Sequence, residues 1–143
     1  MKFIILVLPL FSLSGNALAE KLVSFSSITG SPIYLDLDSV KKDGDFVTFN
    51  VLDKPDNPKF IRKAIMEVKS SCNENYFEYL KQNYTYVDGS SKVVIGMNNK
   101  VLKKYAPNSY LDAITQYSCG KRTLEEALSI KQGLQPPCNG DYC

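Results

Sequence analysis

The strongest constraint in this chain lies in residues 106–119, where a helix start, an apolar stripe and a half-cystine follow one another. Pro107 and Asn108 interrupt whatever precedes them. Ser109 is placed to cap free backbone N–H groups, and Asp112 three residues later completes a capping-box pattern near the positive helix end. The helix is therefore predicted to start at Tyr110. Tyr110, Ala113, Ile114 and Tyr117 fall on one face at helical spacing, and Gly120 supplies a left-handed stop just after Cys119. So short a helix needs a sheet to cover, and Cys119 can tie it there. The four cysteines allow three connectivities, which sequence alone does not separate. The preferred pairing is Cys72 with Cys119, because Cys72 ends a strand with inward parity. Cys138 and Cys143 are too close in sequence to be easily divided between distant partners. In the chain-entropy picture the long loop contributes about 4 kcal/mol and the short one about 2 kcal/mol.

Alternating hydrophobicity supplies the sheet. A loose strand over residues 22–29 leads through Gly30, Ser31 and Pro32 to a second, in which Ile33, Leu35 and Leu37 share one face and Asp36 and Asp38 the other. Alternate Asp residues on a solvent face read as solvation rather than as a calcium site or an acid/base pair. Residues 41–45 form a polar turn, and Val47, Phe49 and Val51 align along a third strand over residues 46–52. Pro55 and Pro58 make residues 53–59 a surface loop. Ala64, Met66, Val68, Ser70 and Cys72 share the inward parity of a fourth strand. A tyrosine-rich run over residues 76–87 is the fifth, with Tyr76, Leu80, Tyr84 and Tyr86 on one parity and Phe77 and Tyr79 on the other. A turn at Asp88, Gly89 and Ser90 returns residues 92–97 as a sixth. Thr123 and Glu126 make a second capping box, opening a short helix that runs to Ile130 or Gln132. The expected class is α+β: an antiparallel sheet of about six strands, a C-terminal helix disulfide-tethered to it, and a further short helix and tail.

Residues 1–19 carry Lys2, an apolar run from Phe3 to Phe11 and the triplet Ala17, Leu18, Ala19, the pattern of a cleaved secretory signal peptide. That apolar run is too short for a permanent membrane anchor, and Glu20 stands where a lipoprotein would have its lipid-accepting cysteine. Residues 20–121 then form the domain and residues 122–143 a C-terminal helix and cysteine-closed tail. All four cysteines lie in the exported part, where disulfides are the default. Loss of Lys2 takes the formal charge from +2 to +1. Nucleic acid is therefore not an expected partner.

The chain contains no histidine, which removes Ser/His/Asp and Cys/His arrangements and the common zinc sites. It also has no nucleophile elbow, phosphate loop or run of metal ligands. The expectation is a protein that is not an enzyme and carries no cofactor or metal.

The order of these features resembles the surface-adhesin protein E-like domain of exported proteins from Gram-negative bacteria. The likeness runs from about Leu22 to Cys119. It rests on Tyr34-Leu35-Asp36, Ser39-Val40 and Gly44, then Cys72, the tyrosine-rich strand ending at Tyr86, and Pro107-Asn108-Ser109 leading to Cys119. The departures are Phe25 and Val101 at positions where the family has tryptophan, and Asn108 in place of a glycine. The resemblance implies an adhesin-like module that binds protein, with host matrix proteins of the vitronectin or laminin class as partners and homodimers within reach. The alternative is a periplasmic protein that binds or inhibits another envelope protein. Either way the chain is exported, to the periplasm or beyond. If the partner is acidic, the candidate contacts are the basic residues Lys54, Lys59, Arg62 and Lys63, and again Lys100, Lys103 and Lys104.

Overall fold

The computed structural model describes residues 21–26, 32–96 and 103–129. Seven strands run β1 (Leu22–Ser26), β2 (Pro32–Asp43), β3 (Phe46–Asp53), β4 (Ile61–Ser71), β5 (Tyr76–Tyr86), β6 (Ser91–Ile95) and β7 (Lys103–Lys104). Two helices follow, α1 (Tyr110–Ser118) and α2 (Leu124–Ser129). Strands β1 to β6 pair antiparallel with their sequence neighbours in the order β1-β2-β3-β4-β5-β6. β7 adds to β5 at its start, pairing Tyr76 with Lys104 and Phe77 with Lys103. The class is the expected α+β one, with a Cys72–Cys119 bond joining the end of α1 to the sheet and a Cα–Cα distance of 5.7 Å. Cys138 and Cys143 lie outside the described residues, as does the expected signal segment.

The alternation in β3 becomes the centre of the core: Val47, Phe49 and Val51 are sealed from solvent, together with Leu35 from β2, Phe25 from β1 and Val68 from β4. Helix α1 closes this face. Its stripe is rotated by one residue from the expected one, because Leu111, Ile114 and Thr115 are fully buried with Ala113 while Tyr110 and Tyr117 flank the contact half-buried. One residue is about 100° of helix. Tyrosine hydroxyls keep access to polar surroundings at the flanks, whereas the compact leucine, isoleucine and threonine fit against the sheet.

Both ends of α1 behave as their residues require. The Ser109 hydroxyl accepts from the Asp112 N–H at 3.2 Å. The Asp112 carboxylate accepts from the Asn108 N–H at 2.8 Å. Asn108 sits at φ 60°, a left-handed conformation that asparagine tolerates better than most residues. At the other end Gly120, at φ 75°, lets its own N–H reach the Tyr117 carbonyl at 2.9 Å and the Lys121 N–H reach that of Gln116 at 2.9 Å. That is a Schellman stop. In α2 the second capping box forms: the Thr123 N–H donates to the Glu126 carboxylate, and the Glu126 N–H donates to the Thr123 hydroxyl.

Several boundaries and one parity differ from the sequence expectation. β2 continues to Asp43, past a register shift between Asp36 and Lys41, and β4 begins at Ile61. In β5 the register with β4 slips between Glu67 and Val68, so that Val68 faces Tyr79 while Glu67 faces Lys81. Leu80 is the extra residue. The bulge flips parity: Phe77 and Tyr79 face the core at one end, Gln82 and Tyr84 at the other. No single alternation could describe both halves. Gly96 serves the same bulge, since its N–H donates to the Leu80 carbonyl at 2.7 Å and a Cβ there would lie 2.8 Å from the Tyr79 carbonyl oxygen.

Candidate interaction surface

The polar groups buried beneath α1 are bound into the framework. Thr115 Oγ1 donates to Ser70 Oγ at 2.9 Å, and Ser70 Oγ donates to the Tyr76 carbonyl at 3.2 Å. Tyr105 lies against the same pair, and burial pushes its phenol up from the ordinary value. Sealed under a helix, this network orients α1 on β4 and β5. Sequence reasoning had Ser70 inward but missed Thr115 and Tyr105. A threonine directly after Ile114 in an apolar stripe was the available signal. Farther along the covered face, burial also raises the phenols of Tyr79 and Tyr110, which adjoin one another. Asp53 lies near Tyr110. Its carboxyl is pushed above the usual carboxylate range by burial, and one of its oxygens has no hydrogen-bond partner among the described residues.

Asp36 has a local duty. Its carboxylate accepts from the Asp38 N–H at 3.1 Å and its carbonyl from Ser39 Oγ at 2.6 Å, while Ser39 Oγ accepts from the Asn50 N–H at 2.8 Å. These bonds stabilise the irregularity in β2. Among the described residues no cluster of cysteine and carboxylate side chains could hold a metal ion, and no helix is long and apolar enough to cross a membrane.

The basic candidates separate into two groups. Lys54, Lys59, Arg62 and Lys63 belong to the β3–β4 corner, whereas Lys103 and Lys104 form β7 beside the first residues of β5. These lie at opposite ends of the sheet, separated along β4 by about 33 Å. Lys100 lies outside the described residues. At the β7 end the cations are held: Lys103 Nζ stands 5.9 Å from the centre of the Tyr79 ring and Lys104 Nζ 5.7 Å from that of Tyr76. Lys104 and Tyr76 also border an open groove with Asn73, Glu74, Asn75 and Pro107. Just beyond, Lys42 Nζ donates to the Cys119 carbonyl at 3.2 Å, and Lys121 Nζ donates to the Cys72 carbonyl. Both carbonyls of the disulfide pair thus receive an ammonium from a distant part of the chain.

At the β3–β4 corner none of the four cations has a side-chain partner among the described residues, where the one salt bridge joins Lys69 to Glu78. Phe60 stands between them, 76% exposed, with Ile61 and Val87 also open to solvent. The Val87 N–H donates to the Phe60 carbonyl at 3.0 Å, and Ile61 pairs with Tyr86. These backbone pairings bring the three exposed apolar residues to one tip of the sheet. In comparison with known proteins, no family model, curated sequence or solved structure matches the chain.

Proposed function

We propose that this chain is an exported, non-enzymatic protein-binding module of the adhesin type, related to the surface-adhesin protein E-like domains. The observation that carries the reading is the placement of Lys103 and Lys104. They are fixed as a strand on β5, backed by tyrosine rings, with Lys104 at the rim of an open groove on the end locked by the disulfide. Cations held in position before binding lose less freedom when an acidic partner docks. They also steer its approach. On this reading the docking face of a matrix protein of the vitronectin or laminin class would be acidic. The alternative, a periplasmic binder of another envelope protein, is favoured by Glu20, which stands at the expected cleavage junction in place of a lipid-accepting cysteine.

Association with vitronectin and laminin, measured by surface plasmon resonance at low and high salt, tests the contact. Lys103→Glu with Lys104→Glu is expected to slow association at least tenfold. High salt is expected to remove the same component, as the screening length falls to about 3 Å at 1 M. Association indifferent to both would remove this end of the sheet from the mechanism. Protease or antibody access on intact cells separates the two locations.

A further inference from the structure

We propose that the Phe60 tip is a peripheral docking site for an anionic lipid surface. This goes beyond the protein-binding reading, which uses the opposite end of the sheet. Phe60, Ile61 and Val87 project from the β3–β4 corner and the start of the β5–β6 turn, tied together by the Val87 to Phe60 hydrogen bond. Lys59, Arg62 and Lys63 surround them, all exposed. Apolar side chains ringed by cations complement a bilayer interface, where the rings and branched chains enter the boundary between headgroups and acyl chains and the cations meet anionic headgroups. The acids nearby leave that ring with an excess of positive charge. Asp53 lies on the face that α1 covers, and the exposed carboxylates Asp56 and Asp88 stand against four exposed cations, Lys54, Lys59, Arg62 and Lys63.

Shape decides for lipid over protein. The grooves around residues 73–76 and over Asp36, Asn50 and Glu67 are lined by other residues, whereas the tip residue Phe60 protrudes, 76% exposed. A protruding apolar point needs a matching pocket in a rigid partner, whereas a bilayer deforms around it. An aromatic residue at the interface also keeps its ring at headgroup depth.

The test is flotation of the protein, purified after export, with phosphatidylcholine vesicles that contain or lack phosphatidylglycerol. Binding is expected only with the anionic lipid and should be lost in 1 M salt. Phe60→Ser should weaken it about tenfold, as should Lys59→Glu with Arg62→Glu, while Lys103→Glu with Lys104→Glu leaves it unchanged. Val87→Ser gives a second apolar variant, and unaltered thermal unfolding of each variant keeps the comparison to binding. Equal binding to neutral vesicles, binding untouched by the tip variants, or no binding to either vesicle would each overturn the proposal. So would tip variants that abolish capture of vitronectin or laminin while vesicle binding persists. Loss of matrix-protein binding on Lys103 and Lys104 reversal alone bears only on the protein-binding reading.

Discussion

The two ends of the sheet use the same residue types in opposite ways. At the Cys72–Cys119 end, lysines are part of the framework: Lys42 and Lys121 bond the half-cystine carbonyls, Lys103 and Lys104 lie over tyrosine rings, and Lys69 stands 4.6 Å from the centre of the Phe46 ring. At the Phe60 end the cations extend into water beside apolar side chains that nothing among the described residues covers. The difference follows from what each end must do. α1 is short, has no basic residue in its last turn, and ends on carbonyls that need compensation, so Lys42 of β2 is recruited to the Cys119 carbonyl, while Lys121 beyond Gly120 crosses to the Cys72 carbonyl on the sheet. The β3–β4 corner terminates no helix and leaves its charges uncommitted. Charge counted along the chain does not reveal this, because the commitment is made by distant segments.

The comparison is open to experiment, beginning with the largest effect. Replacing Cys72 and Cys119 together with alanine is expected to cost about 4 kcal/mol in urea unfolding, the chain-entropy value for a loop of 47 residues. A loss below about 1 kcal/mol would mean that packing of α1 alone holds this end. Thr115→Val should cost about 1 to 2 kcal/mol, since a buried hydroxyl pair is broken while the side-chain volume is kept. Asp53→Asn has the opposite sign and a smaller size, because the carboxyl is still partly open to water. Its raised folded-state pKa means that the wild type loses stability as pH rises from the ordinary carboxylate value through the raised one. The Asn variant should unfold at a higher temperature than wild type at pH 7, and their difference should close once pH falls below the ordinary value.

Lys42→Met with Lys121→Met should cost about 1 kcal/mol, the scale of exposed cations at a helix C-terminus, and less in high salt. The smallest effect belongs to the tip. Lys59→Gln with Arg62→Gln should alter stability by less than about 0.5 kcal/mol. Equal costs for the two pairs of cations in matched unfolding curves would erase the distinction between committed and free charges.

Sequence by itself determined the local structure here. Ser109, Asp112 and Gly120 fixed α1 at both ends, Thr123 and Glu126 opened α2, and the alternation of Val47, Phe49 and Val51 chose the inward face of the sheet. Each of these signals acts over a few residues, through hydrogen bonds or a two-residue period that depend little on the rest of the chain. It also favoured Cys72 with Cys119, because inward parity and the helix end placed both sulfurs at the same boundary. Tertiary structure decided what depends on distant segments. The bulge at Leu80 reversed the parity of β5, the helix stripe turned by one residue to fit the sheet, and Lys103 and Lys104 became a strand because β5 offered them an open edge. It likewise set Lys54, Lys59, Arg62 and Lys63 at the far end from Lys103 and Lys104. Their distance is the length of β4, and no pattern in the basic residues themselves encodes it.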